Sequence, residues 1–435
     1  MAPKAYILEL PTEMLVQIAD ELKGGHDLLS LRLTCSSLEH AANDAFAAKY
    51  FAIRTHLFTR HGLQTLAKIA KHPYLGRRVQ KVEFIVKELC DTLFGPYDYA
   101  GGIPPVPQHA PTEAQKLRTR ENIVRRKQGW ANWQPEMHAL SDESQVSAML
   151  NKAFAAFASV GTSVELDVNG KRRGCWYFDR PPPTYGTKHL IAVIGNGSTE
   201  RDLRERQLNF AFETIMTAMA RTDLRCRAFT IGDYYDGRLT GSAFEFVSAL
   251  APELRLYFAN VTKLHLYFGL SLPIDTTVHI GSLRDFGQTC ANLQELHLGW
   301  NGYECDERKE QEALVVIGGA FTSRHLHNIR LVALCSNVEG YIHFLDAHVD
   351  CLTTLTLDNA LIPVTQCWST VLRWMLQSAR LESLVLDSIA QNHPYAVMNV
   401  DDTDQRERFV LEGGAEEVKE QLRMMLPKVC YNLYD

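Results

Sequence analysis

Histidines, cysteines and carboxylates are the residues of this 435-residue chain that could do chemistry, and their spacing decides which chemistry is open to them. The ten cysteines form no Cys-x-x-Cys pair and no Cys/His grouping with zinc-finger spacing. Gly195-Asn-Gly-Ser lacks the Lys-Ser/Thr of a phosphate-binding loop, and neither Gly-x-Ser-x-Gly nor His-Glu-x-x-His occurs. We therefore expect a protein without catalytic residues, cofactor or metal, and not an enzyme.

His265 and His297 do recur at one place in a repeated pattern, apolar-x-x-apolar-x-apolar, whose successive copies begin 26 to 35 residues apart. Because the two histidines recur with the repeat, a paired metal site is the less favoured interpretation. Each copy predicts a strand, and the segments between copies can be helical, so we expect a parallel sheet with outer helices. The six copies begin at Cys226, Val261, Leu293, Leu326, Leu352 and Leu381.

Side chains of a strand alternate between two faces. If Leu296 and Leu298 face the core, then His297 between them faces the open side. Parallel strands stack such rows about 4.8 Å apart, which predicts that His265, His297 and Arg330 are adjacent. We interpret this row as part of a substrate-binding surface. The predicted substrate-facing residues are Lys263, His265, Tyr267, Glu295, His297, Asn328, Arg330, Thr356, Asp358 and Asp387.

An equal alternative is a plain solvated sheet face, with the substrate held by loops or by an insertion at about residues 91–140. That insertion is rich in Gly and Pro, and it carries a predicted basic helix at about 112–128 followed by two tryptophans. Glutamates dilute the basic charge, so a solvated or partner-contact helix is favoured over nucleic-acid binding.

The first 43 residues predict two short amphipathic helices. Pro11 suits a first helical turn, Gly24 and Gly25 end the first helix, and Asp27 can cap the second. Two such helices cannot bury both apolar stripes against each other, so some apolar surface must meet another element or chain. The stripes consist of Met14, Leu15, Ile18, Ala19 and Leu22, and of Leu28, Leu31, Cys35 and Leu38.

Leu10-Pro11-x-Glu13-x-Leu15-x-x-Ile18-x-x-x-Leu22, followed by Asp27-Leu28-x-x-Leu31-Arg32-Leu33-x-Cys35-x-x-Leu38, resembles an F-box, the motif that docks onto a Skp1-type adaptor. The alternative is an ordinary helical hairpin that caps a larger domain. The repeats resemble the degenerate leucine-rich repeats that follow the F-box in fungal proteins. The resemblance implies that the adaptor-binding positions are Leu10, Pro11, Leu15, Ile18, Leu22, Leu28 and Leu31. The alternative for some of them, Leu15 in particular, is packing inside the F-box itself.

The resemblance implies a substrate-recognition subunit of an SCF-type E3 ubiquitin ligase, with a Skp1-type adaptor, a cullin-RING ligase and an unknown protein substrate as partners. A non-catalytic F-box scaffold acting outside a ligase is the alternative. The net charge of −6 gives no reason to expect nucleic acid as a partner. The sequence contains no run of eighteen apolar residues, so we expect no membrane span. Scattered cysteines and the lack of a secretory pattern indicate a cytoplasmic or nuclear protein.

The expected fold class is therefore α/β, with an N-terminal helical F-box and a leucine-rich-repeat-like solenoid. Residues 6–45 are the predicted F-box, and residues 50–395 are the predicted solenoid with its insertion. Residues 396–435 are a predicted C-terminal cap, with a helix from about Ala415 to Leu426 that ends before Pro427.

Overall fold

Ten strands form one continuous sheet, which is the centre of the computed structural model of this α/β chain. The described residues are 6–22, 25–86, 143–169, 201–232, 239, 241–268, 277–300, 314–315, 317–363, 366–387, 389–392 and 408–432. Neighbouring strands follow chain order and pair in parallel, except for the last pair, which is antiparallel. The strands in sheet order are β1 (Ile53–Leu57), β2 (Lys81–Ile85), β3 (Ser163–Asn169), β4 (Arg225–Ile231), β5 (Lys263–Phe268), β6 (Glu295–Trp300), β7 (Asn328–Val332), β8 (Thr354–Asp358), β10 (Ser383–Asp387) and β12 (Arg408–Glu412).

Two further short strands, β9 (Leu361–Pro363) and β11 (Ala390–Asn392), pair in parallel in a separate small sheet. Helices lie between most successive strands, as parallel pairing requires a crossover connection. Residues 314–315 and 317–320 are also helical. The named helices are α1 (Thr12–Glu21), α2 (Gly25–Arg32), α3 (Ser36–Phe51), α4 (Arg60–Lys71), α5 (Glu143–Ser159), α6 (Arg201–Ala220), α7 (Val247–Phe258), α8 (Thr277–Thr289), α9 (Val338–Asp346), α10 (Trp368–Ser378) and α11 (Ala415–Asn432).

The repeated apolar pattern builds the main core. All six predicted repeat strands are confirmed, as β4, β5, β6, β7, β8 and β10, and the second and third apolar positions of every copy are fully buried. One continuous apolar cluster runs from Phe58 to Met425. At its centre, the ring centroid of Phe286 lies 5.3 Å from that of Phe244 and 5.5 Å from that of Phe258. The buried alternate positions hold the sheet against its outer helices.

The N-terminal region contains three helices where the sequence predicted two. Thr34 ends α2 because its hydroxyl donates to the carbonyl oxygens of Ser30 and Leu31 at the helix end. Cys35 is then extended, and α3 begins at the next residue. Asp27 was expected to cap the second helix, but it lies inside the first turn of α2. The prediction of one continuous second helix from the apolar spacing is therefore wrong.

The C-terminal region also departs from the prediction. β12 was not predicted, and it pairs antiparallel with β10 at the end of the sheet. The helix α11 continues through Pro427 instead of ending before it. Val418, Leu422 and Met425 on this helix are buried in the main core, so tertiary packing outweighs the local rule that proline ends a helix. The predicted insertion at 91–140, with its basic helix, lies outside the described residues.

Candidate functional site

The three N-terminal helices form a small unit with its own apolar core. Leu15 of α1 packs with Leu38 and Ala41 of α3, and Ala19 of α1 packs with Leu28 of α2. Both clusters are separate from the cluster that fills the sheet. The unit therefore has a small apolar core of its own, and the burial of that core contributes little to stability.

The surface of this unit is unusually apolar. Six of the eleven exposed large apolar side chains among the described residues lie in this unit, within the first 33 residues of the chain. Leu33, in the turn after α2, is 86% exposed, and Met14 and Ile18 lie one helical turn apart on α1 at 47% and 36%. A concentration of this kind on one small unit is typical of a protein-binding surface. The six residues are Ile7, Leu8, Met14, Ile18, Leu29 and Leu33.

The predicted adaptor-binding residues divide into three groups. Pro11 and Ile18 are exposed on the surface of the unit. Leu15 and Leu28 are only 5% and 1% exposed, so they form the interior of the unit and do not face outward. The remaining residues are half-buried and contact the internal clusters from the edge: Leu10, Leu22 and Leu31.

Sequence reasoning missed part of the exposed apolar surface. Ile7 and Leu8 lie in a 3-10 turn before α1, and Leu29 lies one position beyond Leu28 on α2. Leu33 was quoted in the motif but not assigned to the surface. Leu33 follows the last residue of α2, Arg32, so it lies in a turn and not on an apolar helical stripe. A prediction that ended α2 at Arg32 would have assigned Leu33 to the surface.

A direct connection joins the N-terminal unit to the sheet. α3 ends at Phe51 and β1 begins at Ile53, so a single residue separates them. The carboxylate of Asp44 on α3 accepts hydrogen bonds from the Tyr74 hydroxyl and the Arg78 guanidinium, which lie between α4 and β2. The short connector and this bridge orient the unit relative to the sheet.

The predicted adjacency of outward-facing side chains is confirmed by the strand register. His265 of β5 is the register partner of His297 of β6, which in turn pairs with Arg330 of β7. Asp358 of β8 pairs with Asp387 of β10. The other predicted substrate-facing residues lie on the same face, at Lys263, Tyr267, Glu295, Asn328 and Thr356.

Five side chains of β5 and β6 form a connected cluster, which we call the central cluster: Lys263, Glu295, His265, His297 and Tyr267. Glu295 bridges its neighbours, with its Oε2 2.9 Å from Lys263 Nζ and its Oε1 3.3 Å from His265 Nε2. The two imidazole rings meet edge to face with centroids 4.8 Å apart, and the Tyr267 hydroxyl lies 3.4 Å from His297 Nε2.

The electrostatics of this cluster follow from its contacts. Burial disfavours ionisation of Glu295, but hydrogen bonds from Lys263 and His265 outweigh it, so the pKa of Glu295 is lowered. The hydrogen bond and charge of Glu295 in turn raise the pKa of Lys263. Glu295 is therefore a carboxylate at neutral pH and holds the Lys263 ammonium in place.

Ion pairs join the outward-facing charges across strands. Arg330 Nη2 lies 2.6 Å from Asp358 Oδ2, and Arg227 Nη2 of β4 lies 3.0 Å from Glu165 Oε1 of β3. At the β2 end, Lys81 Nζ lies 2.7 Å from the fully buried carboxylate of Asp167. Sequence reasoning assigned Arg330 and Asp358 to the face but not the other four residues of these pairs. It identified none of the pairs, because a pair depends on rotamers as well as register.

None of the described side chains forms a group of three or more His, Cys, Asp or Glu that could hold a metal ion. In the central cluster the one carboxylate is engaged by a lysine and an imidazole. What the face can do is present a fixed pattern of charges and flat rings to another molecule.

No protein-family model matches the chain, and no curated protein matches its sequence. In the part of the chain that the structure describes, no helix combines the length and the apolar character needed to cross a bilayer.

Proposed function

We propose that this chain is a substrate-recognition subunit of an SCF-type E3 ubiquitin ligase. Its N-terminal unit acts as an F-box that binds a Skp1-type adaptor. The strands and outer helices form a degenerate leucine-rich-repeat solenoid whose open face binds a protein substrate. Ubiquitin transfer is carried out by the partners, and this chain contributes proximity and orientation.

One observation carries the adaptor part of the proposal. The exposed apolar side chains are concentrated on the N-terminal unit, which is also the stretch with the F-box-like sequence. Fully burying a large aliphatic side chain contributes roughly 1.5–3 kcal/mol, so several together support a stable interface after association costs. Ile18 and Leu33, on different elements of the unit, represent this surface.

Binding of a purified Skp1-type adaptor to the full chain tests the proposal. Replacing Ile18 and Leu33 with Asp introduces charge into the surface, and we expect adaptor binding to be lost without unfolding. Leu256→Asp is the matched control, because Leu256 is a 70% exposed leucine on α7, outside the N-terminal unit. Equal loss of binding in the control, or none in the Ile18/Leu33 variant, would contradict the proposal.

The substrate part of the proposal is supported by the open face of β5–β10. Except for the buried Val332, the side chains there are half-buried or exposed, and neighbouring charges are held in cross-strand pairs. A rigid pattern of Arg, Tyr and His is suited to protein recognition. Recruitment of a cullin through the adaptor distinguishes a ligase subunit from a scaffold, since the scaffold alternative predicts adaptor binding without ubiquitination of captured proteins.

A further inference from the structure

The last strand of the large sheet has a strand partner on one side only, among the described residues. β12 pairs with β10 and is the final strand in the sheet order. The Gly413 amide donates to the Glu382 carbonyl oxygen across this pair. Because backbone groups alternate in direction along an antiparallel strand, those of Leu411 point towards β10 and those of Val410 point away from it. We call the side of β12 away from β10 the free edge.

β12 lacks the features that usually keep an edge strand from pairing with another chain. Such features include proline, a bulge, and a charged side chain that points into the core. β1, at the opposite end of the sheet, has the last of these, because Arg54 is buried on its core side. β12 carries Phe409 and Leu411 on its core side, contains no proline and keeps an unbroken register with β10. Its free edge is therefore suited to a further strand.

The sequence of β12 is complementary to itself when read in the antiparallel direction. The strand is Arg-Phe-Val-Leu-Glu, so a second copy centred on Val410 places Arg408 opposite Glu412 and Phe409 opposite Leu411. The two copies of Val410 then face each other. Because the backbone N–H and C=O of Val410 point to the free edge, these two residues can exchange both hydrogen bonds of a ladder pair. A two-fold axis through this pair gives an isologous interface.

The side chains of β12 that share the open face fit this arrangement. Val410 is 47% exposed, so pairing would cover it with its own copy. Glu412 is also exposed. Arg408 Nε lies 3.8 Å from Asp387 Oδ2, and the arginine side chain remains 63% exposed. Arg408 can therefore reach an opposing carboxylate without leaving Asp387, and opposite charges across an antiparallel pair are stabilising.

The helix beside the free edge also has an exposed apolar side chain. The Gln421 amide of α11 donates to the Glu412 carbonyl oxygen at 3.1 Å, which places this face of the helix at the edge. Met424 lies one helical turn further on the same face and is 61% exposed. A two-fold axis perpendicular to the sheet brings the two copies of α11 onto the same side, where they can cover Met424.

We infer that two copies of this chain pair through the free edges of β12, so that their ten-stranded sheets become one continuous sheet. The occupant is a second copy, because β12 matches its own reverse in both charge and apolar character. The inference goes beyond the proposed function and does not depend on it. β12 lies at the opposite end of the sheet from β1, to which the N-terminal unit is joined, so the dimer leaves the adaptor surface free.

Sedimentation velocity of the full chain over a range of concentrations tests the inference. A single pair of five-residue strands is a small interface, so we expect a reversible dimer with a dissociation constant of about 1–100 μM. A chain that stays monomeric up to about 500 μM would overturn the inference and leave the edge to a strand of another protein.

A proline substitution locates the interface at the backbone of β12. Val410→Pro removes the N–H that points to the free edge and leaves the bonds of Phe409 and Leu411 to β10 in place. The dimer loses two symmetry-related hydrogen bonds, so the dissociation constant should rise by at least about tenfold. Val410→Thr is the matched control, because it keeps the N–H and the branched shape, and it should dimerise like the unsubstituted chain. Equal dimerisation by the proline variant would overturn the assignment to β12.

Charge exchange tests the antiparallel register without removing a backbone group. Arg408→Glu and Glu412→Arg each place like charges opposite each other in the dimer, so each variant alone should dimerise several-fold more weakly. An equimolar mixture of the two variants restores opposite charges at both ends of the strand pair and should form a heterodimer. Thermal unfolding of each variant checks that the fold is retained. A mixture that dimerises no better than its components would overturn the proposed pairing.

Discussion

The ring of Tyr267 covers the α-carbon of Gly299 on the adjacent strand so closely that a β-carbon at position 299 would lie 2.1 Å from Tyr267 Cδ1. Alanine usually stabilises a strand relative to glycine, but here it must displace the ring. We expect Gly299→Ala to lower the free energy of unfolding by about 1–3 kcal/mol. Urea denaturation measures this change.

Two further variants establish the cause of that effect. In the Tyr267→Ala background, Gly299→Ala should cost nothing, because the ring that it displaces is gone. Gly281→Ala on α8 is the control, since no atom lies within 4 Å of the added carbon, and it should stabilise the chain by roughly 0.5–1 kcal/mol. A cost for Gly299→Ala that is independent of Tyr267 would contradict this explanation.

Buried and exposed apolar residues of the N-terminal unit should respond differently to substitution. Leu28→Ala removes an internal side chain and should destabilise the unit by about 2–5 kcal/mol. Because its cluster is separate from the sheet core, hydrogen exchange should increase in α1–α3 and not in β5–β8. Ile18→Asp should leave exchange unchanged and affect only adaptor binding. Exchange that rises throughout the sheet in Leu28→Ala would show that the two cores are coupled.

His348 should make the stability of the chain depend on pH. It is 1% exposed beside Phe344, and among the described residues neither of its ring nitrogens has a hydrogen-bond partner. Burial lowers the pKa of His348 to about 4, from 6.5 for an unburied histidine. As the pH falls below 6.5, protons bind the unfolded chain first, so stability decreases until about pH 4, by up to ~1.4 kcal/mol per pH unit.

Urea unfolding of His348→Phe between pH 7 and pH 5 measures that contribution. The variant should lose less stability on acidification than the unsubstituted chain. It keeps the contribution of His56, whose pKa is lowered to about 3 by burial and by the Arg54 charge. An identical pH dependence in the variant and the unsubstituted chain would contradict the role of His348.

The bridge from Asp44 to Tyr74 and Arg78 should orient the N-terminal unit without adding much stability. These side chains are substantially exposed, and exposed ion pairs typically contribute less than about 1 kcal/mol. Burial and the neighbouring Asp44 carboxylate raise the pKa of Tyr74 to about 12. Asp44→Asn should lower that pKa, as measured by NMR titration of the tyrosine ring, and should increase hydrogen exchange at the connector between α3 and β1.

A control for this bridge lies within the unit. Glu39→Gln removes the pair with Arg32 on α2, which does not cross to the sheet. It should leave the connector and Tyr74 unchanged. An equal effect of both substitutions on the connector would show that α3 itself, and not the bridge, sets the orientation.

The apolar pattern predicted most of the sheet, because alternate apolar residues such as Leu296 are buried where one face of a sheet is covered by helices. The same alternation predicted that His265, His297 and Arg330 are neighbours. The pattern could not predict the antiparallel β12, which lacks the repeat and is placed by pairing with β10. It also could not separate Leu28 from Ile18, since both lie on apolar stripes and only the position of α3 decides which is covered.

The most direct test of the central claim is calorimetric titration of the full chain with a purified Skp1-type adaptor. The F-box proposal predicts a one-to-one complex that is abolished by Asp at positions 18 and 33 and unaffected by Leu256→Asp. Absence of binding by the folded, unsubstituted chain would contradict it.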